Sequence, residues 1–228
     1  MNPIVERETR QTVMRLNARK FVQDPLWGAE KSLENSRQSS AQKRHGRLIE
    51  LTVRTELASL SHYQVWTTNN FRVPSDAEHI ATLWRNGAIG TVPEIAYTGE
   101  GKRRQIDIAA YDRSRRRLSA LEIKRANYRP DAGKMRGILG ELIATQAVLP
   151  GFGRYHGLDP AEVHARVVCF YGARSAPAPW SLTAPEFDIY VEHDVSAAVS
   201  EMTDLFRELI DGGSPDDQFP LNLGGPDA

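Results

Sequence analysis

Asp107, Glu122 and Lys124 are the residues of this chain whose types and spacing point to chemistry. They lie in QIDIAAYDRSRRRLSALEIKRA, residues 105–126, which reads as two apolar strands joined by a polar, Arg-rich connection over 112–117, short enough for an antiparallel hairpin. Alternate side chains of a strand share a face, so Glu122 and Lys124 point with Leu118 and Ala120, and Asp107 with Gln105, Ala109 and Tyr111. Two carboxylates and an ammonium then converge. Hydrolysis of a phosphodiester adds negative charge to an already anionic centre, and a hard cation held through oxygen, Mg²⁺ or Mn²⁺, stabilises that charge. Asp107 and Glu122 supply such oxygens, and the backbone carbonyl of Ile123 is a third candidate ligand. Lys124 is placed to orient the attacking water, to help deprotonate it, or to stabilise charge developing on the phosphate, three roles the sequence leaves open. The competing account is an ordinary ion pair at a strand end, worth little on a surface. Against it stand Leu118, Ala120, Leu121 and Ile123, which look like a central strand, where a charge without a job is expensive.

In this layout the chain resembles the PD-(D/E)xK nuclease superfamily, with Asp107, Glu122 and Lys124 in the positions of its Asp, Glu and Lys. The resemblance covers residues 46–148. It implies a restriction-endonuclease-like α/β fold: a central mixed β-sheet of about five strands flanked by α-helices, here with an N-terminal helical extension. The family often carries a further glutamate on the helix before the catalytic strands, and GRLIE at 46–50 makes Glu50 the candidate, although Glu50, Arg54 and Glu56 also fit the wet face of an amphipathic helix. Two departures are visible: no proline precedes Asp107, and no downstream helix carries Gln-x-x-x-Tyr. The activity implied is metal-dependent hydrolysis of DNA, of a restriction or defence type on duplex DNA. A Holliday-junction resolvase or repair nuclease, and a DNA-binding or assembly module without turnover, are the alternatives.

The net charge is zero, but it is unevenly distributed. Residues 101–140 hold twelve bases against four acids, about +8, whereas residues 186–228 hold eleven acids against one base, about −10. A basic segment around the motif strands is the electrostatic footprint of a nucleic-acid partner, and Arg103, Arg104, Arg115, Arg116, Arg117, Arg125 and Arg129 are the expected DNA contacts. The acidic end is expected to face away.

The elements that must position these residues follow from periodicity. Residues 1–40 read as one or two amphipathic helices, joined through DPLWG and a Ser-rich stretch at 32–40. A nuclease domain is expected over 41–210, with its core at 46–171, followed by a loose acidic tail at 211–228. Within that domain a helix is expected at 42–60, a strand at 63–68, and an insertion at 71–98 that reads DNA or lines its channel. After the motif strands, Pro130-Asp131 starts a helix whose stripe (Met135, Ile138, Leu139, Leu142, Ile143) ends before Pro150. Strands follow at 165–171 and 187–191, separated by a proline-rich loop, and a last helix at 195–210.

Other chemistries lose support. One cysteine, Cys169, excludes an internal disulfide, and the six histidines show no zinc-ligand spacing. No Gly-x-Ser-x-Gly elbow and no phosphate-binding Gly-x-x-x-x-Gly-Lys-Ser/Thr loop occurs. No apolar run approaches about 18 residues and the start is charged throughout, so neither a membrane span nor a signal peptide is expected, and the cytoplasm is the expected location. A homodimer is expected, since two symmetric sites are the simplest way to cut two strands, and the apolar stripes at 5–21 and 195–210 are its candidate surfaces.

Overall fold

The computed structural model describes residues 1–24, 26–126 and 130–212. Its elements are α1 (Pro3–Asn17), α2 (Ala29–Ser59), β1 (Tyr63–Val73), α3 (Ser75–Arg85), β2 (Lys102–Asp112), β3 (Arg117–Lys124), α4 (Ala132–Tyr155), β4 (Glu162–Cys169), β5 (Ser181–Thr183), α5 (Ala184–Val191) and α6 (Val195–Asp211). The five strands form an open mixed sheet in chain order: β1, β2 and β3 are antiparallel neighbours, while β3–β4 and β4–β5 are parallel. The α/β class and a mixed sheet of five strands flanked by helices agree with expectation, although the fifth strand is not the one the sequence pattern picked out. No described helix is long and apolar enough to cross a membrane.

Contacts divide the chain into two units, Met1–Leu48 with the chain from Ser200, and Ile49–Val199, so that the boundaries fall inside α2 and α6. In the first unit Val5, Val13, Leu16, Met202 and Phe206 are buried. His45 is buried with them, bonded through Nε2 to Thr203 Oγ1 at 2.9 Å and stacked on Phe206. The stripes proposed as self-association surfaces are therefore consumed within one chain.

The second unit carries the sheet. One face (Phe71, Ile106, Ala109, Tyr111, Leu118, Ala120, Ala165, Val167) packs with α3 and α4 in a single apolar core. Two parallel strands need a long crossover, and α4, about 36 Å of helix, supplies it between β3 and β4. Its C-terminal half sits tight: a Cβ on Gly153 would lie 2.9 Å from both Leu118 and Pro160 side chains. Gln146 accepts from the Ala165 N–H and donates to the Val163 carbonyl, both at 2.7 Å, which completes the edge of β4 that β5 is too short to pair. On the other face Ile108, Leu121, Ile123 and Val168 are buried.

Four local expectations are corrected. The Ser-rich stretch at 32–40 is helical: Leu33, Glu34, Arg37 and Gln38 within it are good helix formers, and it lies inside the longer run of α2. Pro150 does not end α4, which runs through it to Tyr155. The insertion contains helix α3, packed on α4 through Ala77 and Ala81, so it contributes core as well as surface. Residues 187–191 are helix, not strand: Thr183 and Glu186 form a capping box, Pro185 stands in the first turn, and Phe187 and Val191, four apart, are buried while Ile189 is exposed. The fifth strand is the short Ser181–Thr183 just before it. The tail at 213–228 lies outside the described residues.

Helix α5 is fastened to the sheet by polar groups. Tyr190 Oη bonds Ser119 Oγ at 2.7 Å and His164 Nδ1 at 2.9 Å. Burial, with the Arg166 and Arg117 charges behind it, pushes the His164 imidazole down to about 4, so it is neutral in the fold. An unfolded histidine takes its proton near pH 6.5. The folded state then binds fewer protons between these two values, and stability falls as pH drops through that window. Denaturant unfolding should show about 2 kcal/mol lost between pH 7 and pH 4.5 beyond that of His164→Gln; parallel curves for the two proteins would contradict the assignment.

Candidate active site

The site begins with an irregularity in β2. Opposite β1, Ala109 faces Trp66 and Ile106 faces Thr68, so Asp107 and Ile108 together stand against the single residue Thr67. This is a β-bulge, which breaks alternation and re-aims a side chain. Its signature is that Ile106 and Ala109, three apart, share one core cluster. The expected sharing of one face by Gln105, Asp107, Ala109 and Tyr111 is thus corrected: alternation resets at Asp107 and Ile108.

On its other side β2 leaves β3. The ladder stops at Ile108 opposite Leu121, and the next pair in register, Asp107 and Glu122, spans a gap. Asp107 Oδ2 accepts the Ile123 N–H at 2.9 Å, standing in for a strand carbonyl, while Gln105 Nε2 lies 3.5 Å from Oδ1. A backbone donor that would otherwise be orphaned thereby fixes the carboxylate.

Glu122 and Lys124 project from the end of β3, with Glu122 Oε1 2.6 Å from Lys124 Nζ and the two side chains 31% and 43% exposed, open enough for a substrate to reach. Burial draws the Lys124 pKa down, but Glu122, Asp107 and Glu50 outweigh it and hold the ammonium above the usual lysine value. Glu50, on α2 beside the buried Ile49, is therefore the third carboxylate whose field reaches Lys124. Asp107 shifts the opposite way. Burial raises its pKa, the Ile123 N–H offsets part of this, Glu122 adds to it and Lys124 counteracts it. Asp107, Glu122 and Lys124 are thus brought together at one end of β3, and Glu50 is near enough for its charge to act on Lys124.

Two clefts flank Glu122. One, about 230 Å³, is bounded by Lys102, Arg104, Gln105 and Ile106 of β2 and by Glu141 and Thr145 of α4. The other, about 300 Å³, is bounded by Lys124, Ala126, Pro130, Lys134 and Ile138. Glu141, Thr145 and Lys134 were not singled out in the sequence. Their signal is positional: they sit on α4 among the apolar residues of its stripe, and only the crossover of α4 over β3 turns that side toward Glu122.

The expected DNA contacts separate into groups. Arg103 and Arg104 border the first cleft, and Arg125 follows Lys124 with its Nε buried and, among the described residues, without a hydrogen-bond partner. Arg115, Arg116 and Arg117 stand at the opposite end of β3, about 23 Å from Lys124 along the strand. There Arg115 pairs with Glu192 and Arg116 with Asp159. Arg117 is corrected outright: it is 5% exposed, 3.6 Å from Asp112, bonded to the Tyr190 carbonyl at 2.8 Å and stacked on the Tyr190 ring. It holds α5 and is not available to a phosphate. Arg129 lies outside the described residues.

Among the described residues no group of three or more His, Cys, Asp and Glu side chains is gathered closely enough to cage a metal. The donor set present is of another kind: two carboxylates across a gap, with the backbone of Ile123 beside them and solvent access, which fits a cation that binds through one or two carboxylates and keeps several waters. Comparison with family models, curated proteins and solved structures gives no match.

If Asp107 and Glu122 hold such a cation, saturating Mg²⁺ should raise the thermal midpoint of the wild-type chain, by roughly 2–4 °C per kcal/mol of binding energy. Asp107→Asn and Glu122→Gln should each remove the shift while folding normally; an undiminished shift in either protein would place the cation elsewhere.

Proposed function

We propose that the chain is a divalent-metal-dependent DNA endonuclease of the restriction-endonuclease-like fold, acting on duplex DNA in a restriction or defence role. The observation that carries this reading is the meeting of Asp107, Glu122 and Lys124 at the interrupted end of β2 and β3, with the charge of Glu50 on α2 acting on the same ammonium. Two acids and an ammonium held together at a strand end, half-buried and open to solvent, are costly to keep for stability alone. They suit a reaction whose transition state gathers negative charge beside a hard cation.

Asp107 and Glu122, with the Ile123 carbonyl, would hold Mg²⁺ or Mn²⁺, which supplies charge neutralisation at the phosphate and a more acidic water when bound. Glu50 completes the acidic shell, directly or through water. Asp107 is kept in position by the Ile123 N–H, so its carboxylate need not reorganise as substrate arrives. Of the three roles the sequence left open for Lys124, a fixed positive charge beside the phosphate suits an ammonium held in direct contact with Glu122. Glu122 positions that ammonium through their direct contact. Arg103, Arg104 and Arg125 provide positive charge near the cut; a second copy of the chain remains the simplest way to cut both strands, through a surface other than the buried stripes.

Plasmid DNA incubated with the protein should be nicked or linearised in Mg²⁺ or Mn²⁺, and bound without turnover in Ca²⁺, whose larger and looser oxygen shell does not support the geometry. Cleavage undiminished by excess EDTA would refute the metal requirement. Lys124→Ala should lower the cleavage rate by roughly two to four orders of magnitude while affinity for DNA in Ca²⁺ changes little. Equal losses in rate and binding would reduce Lys124 to one more phosphate contact.

A further inference from the structure

The two clefts beside Glu122 differ in chemistry. The α4 N-terminal cleft offers Lys124 and Lys134 amid Ala126, Pro130 and Ile138. The β2 cleft is bordered by three consecutive cations, Lys102, Arg103 and Arg104, and closes on Glu122. Among these three, only Arg104 is built in. Its side chain is 15% exposed, Nη1 donates to the Glu141 carbonyl of α4 at 3.0 Å, and Nη2 stands 3.6 Å from Glu78 Oε1 of α3. Arg103 instead turns back to the Asn69 carbonyl, and Lys102, 69% exposed, reaches Glu78 only at 3.9 Å.

A guanidinium has five donors, of which the Glu141 carbonyl takes one, while Glu78 pairs with the charge at 3.6 Å. The cost of burying it is met by Glu78, and its planar fork is held fixed along the wall of a cleft that ends at a catalytic carboxylate. Arg104 stands three positions before Asp107 in β2, about 10 Å along the strand, so its target is a neighbour of the group held between Asp107 and Glu122 and not that group itself.

On the nuclease reading above, we infer that the β2 cleft is the subsite for the phosphate adjoining the scissile one, gripped by Arg104, and that Glu78 of α3 is a positioning residue that aims this arginine. Helix α3, which enters the sequence as an insertion, then serves the site through one carboxylate.

The test uses the full chain and a DNA duplex whose cut position is mapped with wild-type protein in Mg²⁺, each phosphate near the cut being replaced in turn by a neutral methylphosphonate. In the wild type, one replacement adjoining the cut should slow cleavage roughly 10- to 100-fold, the worth of a hydrogen-bonded charge contact. Arg104→Ala should slow the unmodified duplex by a similar factor and show no further loss at that phosphate, because the two changes remove one interaction. Glu78→Gln, at an exposed position, keeps the fold and should also weaken the coupling. If Glu78 acted only through its charge, its neutralisation would tighten DNA binding and leave the coupling whole. A full methylphosphonate effect in Arg104→Ala at every position overturns the subsite while cleavage itself stands. A wild-type protein that cuts nothing in Mg²⁺ or Mn²⁺ overturns the nuclease reading and this inference with it.

Discussion

The gap between β2 and β3 at Asp107 is the constraint on which the rest of the arrangement depends. A sheet normally satisfies its backbone by strand pairing, and here one Ile123 N–H is satisfied by a side chain while the register skips a residue on the β1 side. The carboxylate is held without a flexible loop, next to Glu122 and Lys124, whose backbones are themselves fixed by parallel pairing to β4. The cost is electrostatic. Burial and Glu122 both oppose ionisation of Asp107, and a single ammonium answers three acids. The apolar core around α3 and α4 is built without help from this arrangement.

The basic segment of the sequence has two different fates along β3. At the hairpin end, Arg115, Arg116 and Arg117 meet Glu192, Asp159 and Asp112, and one of them is buried under a tyrosine ring. These are pairs that fasten α5 and the loop before β4 to the sheet. At the other end, Arg103, Arg104 and Arg125 remain near the acids, with Arg104 braced from two helices. Local charge in the sequence is about +8, but the part of it that faces the candidate site is much smaller and more deliberately placed.

Helix α4 links these features. It closes the core over Leu118 and Ala120, clamps β4 through Gln146, and lends Glu141, Thr145, Lys134 and Ile138 to the two clefts on either side of Glu122. A shift of this helix would move both clefts together relative to the acids, so its tight packing at Gly153 bears on the site as well as on stability.

Residue type and short-range spacing were enough to identify Asp107, Glu122 and Lys124 as candidates, the family resemblance added Glu50, and periodicity placed most strands and helices and gave the α/β class, because a strand or helix announces its buried face through its own period. What the period could not carry was decided by contacts distant in sequence. The bulge at Asp107 depends on how β1 pairs with β2, and reverses the alternation that the residues alone imply. Residues 187–191 are short, apolar and equally apt for strand or helix, and the capping box at Thr183 with the burial of Phe187 and Val191 resolved them as helix. Arg117 looked like its neighbours until Asp112, Tyr63 and Tyr190 gathered around it. Charge and polarity are properties of a residue, whereas burial and partnership are properties of the fold, and the fold therefore determined which arginines brace the sheet and which stand beside the acids.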